Sequence, residues 1–149
     1  MLDVTVRGAD EIAHVSRLLR EVGDKELRRD LYRGLNRATS PLKRAVKERA
    51  RATLPSRGGL AARVASSSIA VRTRGGQHPG VRLVARGKAN LDRLDRGVVR
   101  HPVFGNREVW VSQQVTPGWF TEPLQEGVAP VQRELLDVLD DISRRLARG

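Results

Sequence analysis

The stretch KELRRDLYRGLNRATSPLKRAVKERAR, residues 25–51, decides the fold. Leu27, Leu31, Leu35, Ala38, Leu42 and Val46 recur at steps of three and four, the spacing that stacks side chains on one face of an α-helix. The apolar stripe runs from about residue 25 to 52, roughly 40 Å if the helix is unbroken. Its other faces carry Lys25, Arg28, Arg29, Arg33, Arg37, Lys43, Arg44, Lys47 and Arg51. Pro41 interrupts the pattern. A proline removes one backbone donor, so a kink is expected there; alternatively, Thr39 or Ser40 caps a new helix starting at Pro41. A second stripe near the C-terminus answers the first. Leu124, Val128, Val131, Leu135, Val138, Ile142 and Leu146 make nearly a heptad seam, which needs another helix against it. Thr121 is the expected N-cap, with Pro123 in the first turn. Pro130 is expected to break this helix, leaving one from about 130 to 147.

Shorter elements fill the rest. Leu2, Val4 and Val6 alternate as in a strand that Gly8 ends. Asp10 is placed to cap a first helix with the stripe Ile12, Val15, Leu18, Leu19 and Val22; Gly23 closes it and Asp24 caps the next. Gly58-Gly59 reads as a tight turn needing positive φ, with a short helix over Ala61–Ala65. Ser68–Thr73 and Val81–Ala85 read as strands of a hairpin across the turn formers of 74–80. Leu91 and Leu94 fit one helical turn, and Val98-Val99 start a further strand. Glu108–Val115 alternates, with Val109, Val111 and Gln113 on one face and Trp110, Ser112 and Gln114 on the other. The expected fold is α+β: a small antiparallel sheet packed against a long helix of the N-terminal half and a C-terminal helix. A single domain spans 1–149.

Composition narrows the chemistry. There is no cysteine, which excludes disulfides, thiolate zinc sites and thiol catalysis. No apolar run approaches the roughly 18 residues that span a bilayer, and the N-terminus lacks a signal-peptide core, so synthesis in a cytosol is expected. The net charge is +11, unevenly spread. Residues 25–51 carry net +7 and residues 52–107 net +9, between ends of −2 (1–24) and −3 (108–149). A polyanion or an acidic protein surface is the natural partner of such a block. A GC-rich genome would account for 24 of the 28 basic residues being Arg, but it would not account for the positive excess.

No reaction centre is legible. His14, His78 and His101 share no metal-ligand spacing. Asp92 and Asp95, and Asp137, Asp140 and Asp141, read as ion-pairing faces, because an acid–base pair needs a cleft to separate its pKa values. Ser56 has no base nearby and no Gly-x-Ser-x-Gly elbow. Gly58-Gly59 is not followed by the Gly-Lys-Ser/Thr of a phosphate loop. The expectation is therefore no enzyme, no cofactor and no metal. The cationic face of the long helix (Arg28, Arg29, Arg33, Arg37, Arg44, Lys47 and Arg51) is expected to meet DNA or an acidic partner. Contact with DNA there is sequence-blind, since no helix-turn-helix, zinc finger or ribonucleoprotein signature is present.

Four of the five Phe, Tyr and Trp residues lie in one segment, His101-Pro-Val-Phe-Gly-Asn-Arg-Glu-Val-Trp-Val-Ser-Gln-Gln-Val-Thr-Pro-Gly-Trp-Phe120. Side chains this large dominate burial, so the segment is either a core anchor or a docking surface. Together with Pro55-Ser-Arg-Gly-Gly-Leu-Ala61 and the order of elements, it resembles the tail-completion family of long-tailed bacteriophages, neck proteins that sit where tail meets head. The resemblance implies a structural virion protein, a ring of six copies around the DNA channel, and contacts with tail-terminator, tail-tube and head-closure proteins. It places Arg57, Gly58, Gly59, His101, Phe104, Trp110, Trp119 and Phe120, with loops 55–61 and 74–80, at contacts between neighbours. Trp110 and Trp119 have a plainer alternative, filling the seam between sheet and helix. Two rival functions remain: a sequence-nonspecific DNA-binding protein, and a small basic ribonuclease using His101.

Overall fold

Lys25–Thr53 folds as one helix, α2 in chain order, of 29 residues. The computed structural model that shows it describes residues 2–6, 10–74 and 80–149. The Asp24 carboxylate accepts from Leu27 N at 2.9 Å and caps the start, as its position in sequence predicts. Leu27, Leu31, Leu35, Ala38, Leu42, Val46 and Ala50 are all buried. The helix runs through Pro41 and does not restart there. A proline inside a helix costs about 3 kcal/mol. Burying a leucine or valine returns about 1.5–3 kcal/mol, and the stripe continues on both sides of Pro41.

A second long helix, α5 (Thr121–Arg148), likewise passes through Pro130, against the expected break. Its N-cap is Phe120 rather than Thr121. The capping oxygen comes from elsewhere: Asp95 Oδ1 accepts from Phe120 N at 2.9 Å and Thr121 N at 3.1 Å. A carboxylate at this end also meets the positive pole of the helix dipole.

α2 and α5 pack antiparallel along most of their length. Two glycines set the spacing. A Cβ on Gly34 would lie 2.7 Å from Val138 Cγ1, and one on Gly127 would lie 2.4 Å from Leu42 Cδ2. Ion pairs close both ends: Arg145–Asp30 at 2.7 Å, and Arg49 to Glu122 at 3.0 Å and Glu126 at 2.8 Å. The hydrogen bond from Arg145 is the main cause holding the Asp30 carboxyl below its ordinary value, and the charges of Arg145, Arg33 and Arg29 add to it. A depressed carboxyl stabilises the fold above its unfolded pKa and loses that effect as pH falls through the folded value. The stability gap between wild type and Asp30→Asn should therefore be full above about pH 4 and close as pH drops further. Urea midpoints measured from pH 6 to pH 2 check this, and a gap unchanged at pH 2 contradicts it.

The first helix, α1 (Asp10–Val22), ends at Gly23, whose φ is 79°. It packs with α2 on a three-stranded antiparallel sheet of order β1-β3-β2: β1 (Leu2–Val6), β2 (Ser68–Arg74) and β3 (Gly80–Arg86). Val81, Leu83 and Ala85 of the central strand face the core. Tyr32 Oη meets Thr73 Oγ1 at 2.7 Å, tying α2 to β2. The short helices α3 (Leu60–Ala65) and α4 (Leu91–Asp95) appear where expected. The fold is α+β with the expected helical cover, to which α1 adds itself. The connection 75–79, with His78, lies outside the described residues, and with it most of the expected contact at loop 74–80.

The remaining strands, β4 (Val98–Val103) and β5 (Asn106–Gln114), do not join that sheet. They form a separate two-stranded hairpin. Val115 N donates to Gly97 O at 2.9 Å and Gly118 N to Asp95 O at 2.8 Å, fastening the hairpin's base to α4. Pro102 sits in β4 beside a register irregularity, which a strand without a second neighbour tolerates.

Candidate functional site

The seven cationic residues predicted for α2 divide. At roughly 100° per residue, Arg29, Arg33, Arg37, Arg44, Lys47 and Arg51 fall within an arc of about 80°, opposite the buried stripe. Arg28 falls off this face, on the flank toward Lys25 and Tyr32, and is half-buried. From Arg29 to Arg51 the row extends about 33 Å, close to one turn of B-form duplex. Of the six, Arg33 pairs with Asp30 at 3.0 Å. The other five have no carboxylate within ion-pair distance among the described residues. Lys43 lies beside the row and donates to Asn36 Oδ1 at 2.9 Å; burial, and then the neighbouring Lys47, lower its pKa. Arg49, which was not among the residues expected on the cationic face, turns the other way, onto α5.

The aromatic segment divides more sharply. Trp119 and Phe120 are fully buried, their ring centroids 5.4 Å apart, and Trp119 Nε1 donates to Leu91 O at 3.2 Å. They belong to the chain's own core, and the expectation that they meet a neighbouring subunit is corrected: a side chain with no exposed area has nothing to offer a partner. Phe104 and Trp110 do the reverse. Phe104 stands fully exposed at the hairpin tip, and Trp110 is 51% exposed. Among the described residues, five of the seven exposed large hydrophobics (Val103, Phe104, Val109, Trp110, Val111) belong to this hairpin. Every residue of β5 is exposed.

The other predicted positions are all at the surface. Arg57, Gly58 and Gly59 form an exposed 3-10 turn between α2 and α3, with φ of 75° and 78° at the two glycines. This is the positive-φ turn the sequence indicates. His101 is exposed on β4, its Nδ1 3.0 Å from Pro102 O. His14 contacts Arg17. Asp92 pairs with Arg96, Asp140 with Arg144 and Asp141 with Arg145, as ion-pairing faces do. Asp95 departs from that expectation, since its carboxylate caps α5. Among the described residues no three His, Asp or Glu side chains gather as a metal site, and no helix is long and apolar enough to cross a membrane.

No family model, curated protein or solved structure matches the chain. The surfaces themselves carry the functional argument.

Proposed function

We propose that this chain is a structural virion protein of the phage neck, acting by shape and charge rather than by bond chemistry. Copies of it close a ring, of six in the resembled family, around the DNA channel. The ring completes the tail and contacts tail-terminator, tail-tube and head-closure proteins. The observation that carries this reading is the hairpin of β4 and β5. A two-stranded ribbon is marginal in water by itself, and this one concentrates the exposed large apolar side chains of the described residues. Seating it against the next copy covers them, and a head-to-tail contact that closes by rotation makes a ring. The cationic row of α2 then faces the channel, where contact with phosphate carries no sequence information.

Deleting the gene from its phage should leave separate full heads and tails in negative stain. Intact infectious particles lacking the chain would end the proposal. At the level of one residue, Phe104→Asp should weaken self-association at least about 30-fold, the effect of losing one interface hot spot. It should leave the unfolding free energy within about 0.5 kcal/mol. Sedimentation and urea denaturation measure the two effects separately.

A second reading, a sequence-nonspecific DNA-binding protein, is favoured by the five unpaired cations on α2. It differs in a measurable way. The free chain would bind duplex at micromolar concentration or tighter near physiological salt, and deletion would leave head–tail joining intact.

A further inference from the structure

A groove of about 460 Å³ opens between α3, α4 and the inner side of the hairpin, within the size range of small-ligand sites. Arg63, Arg93 and Arg100 reach it from three different elements, and Trp110 forms part of its wall. Leu94 and Val98 are among its apolar lining, and no carboxylate lines it. None of the three arginine side chains has an ion-pair partner among the described residues. Asn90, also in the lining, spends its side-chain oxygen on Arg93 N at 3.1 Å.

An indole half open to solvent beside three guanidiniums that have no carboxylate partner among the described residues matches a ligand that is both flat and anionic. A nucleotide is both: its base stacks on an aromatic ring and its phosphate takes the arginines. An acidic peptide would satisfy the arginines but leave the ring uncovered. Stacking on an aromatic ring tolerates any base, because every base has a π-face. A duplex keeps its bases stacked inside, so only an unpaired strand can present one to Trp110. We propose that this groove binds single-stranded nucleic acid, one base on Trp110 and adjoining phosphates on Arg63, Arg93 and Arg100. The site is distinct from the α2 row and is open in the free chain, where Trp110 is 51% exposed.

The chain reports on the site itself. Trp119 is 0% exposed, so Trp110 is the tryptophan whose emission a solvent-borne base can quench. Oligothymidylate titrated into the purified chain should quench that emission saturably. Trp110→Ala should weaken binding by about tenfold, the loss of one base stack, while Trp110→Phe keeps most of it. Replacing Arg63, Arg93 and Arg100 together by Gln should flatten the slope of log affinity against log salt by about 2, near 0.7 for each phosphate released. Thermal melts of each variant should match wild type, since all four side chains reach solvent. The proposal is overturned if oligothymidylate leaves the emission unchanged. It is overturned equally if inorganic phosphate, polyglutamate or duplex DNA matches oligothymidylate at equal charge; polyglutamate doing so would assign the groove to an acidic protein segment.

Discussion

Trp119→Ala lowers the unfolding free energy by about 3–5 kcal/mol, while Trp110→Ala leaves it within about 0.5 kcal/mol. The two residues lie nine positions apart in one segment, and nothing in their immediate sequence ranks them. The difference lies in what surrounds each. Trp119 has no exposed area, packs against Phe120 at 5.4 Å and donates its indole N–H to Leu91 O. Truncation removes the burial and the indole's hydrogen bond to Leu91 O, and leaves a cavity that α5 cannot collapse into because its start is tied to Asp95. Against a typical total of about 5–15 kcal/mol, that is enough to leave the chain partly unfolded at 37 °C. Trp110 stands on a strand exposed along its whole length. Urea denaturation followed by circular dichroism reads both variants. Equal losses at the two positions would mean that the hairpin belongs to the core.

The second large effect concerns charge. Replacing Arg29, Arg37, Arg44, Lys47 and Arg51 by Gln should remove most of the salt dependence of binding to duplex DNA. Five phosphate contacts give a slope near −4.5 in log affinity against log salt, which is a loss of about 500-fold between 50 and 200 mM for the wild type. With those five side chains neutralised, the curve should be nearly flat. Fluorescence anisotropy of a labelled duplex at four salt concentrations measures it. The fold should survive, because these five positions point away from the buried stripe and form no ion pair among the described residues. A wild-type slope near −1 would reduce the row to an ordinary solvated helix face. The duplex arm is independent of the groove beside Trp110, whose ligand is a single strand.

Much of the architecture was legible because its signals are local. The three- and four-residue spacing of Leu27 to Val46 forces one face of a helix, whatever it packs on. Asp24 caps because its side chain reaches a backbone N–H three residues on. Gly58 and Gly59 take positive φ because glycine, without a Cβ, enters that region most readily. The two prolines misled for the same reason. Pro41 and Pro130 carry a strong local instruction to stop, and it was overruled by the pairing of α2 with α5, a contact made across more than a hundred residues at the Asp30–Arg145 end.

The candidate surfaces were legible in kind and not in direction. Composition declared an excess of guanidinium groups and a scarcity of rings. It could not say that Arg49 turns inward to Glu122 and Glu126 while Arg51 turns out, that Asp95 leaves its own helical turn to cap another helix, or that Arg63, Arg93 and Arg100 converge on one groove.

By itself the sequence determined that this chain is α+β, cationic through its middle, and built on two long amphipathic helices, because periodicity, capping and net charge are properties of neighbouring residues. Only the tertiary structure decided which aromatic rings are buried and which stand in solvent, and which cations are neutralised and which remain free. Those outcomes depend on what lies across the fold. Whether a side chain faces protein or water is fixed by the packing of segments far apart in the chain.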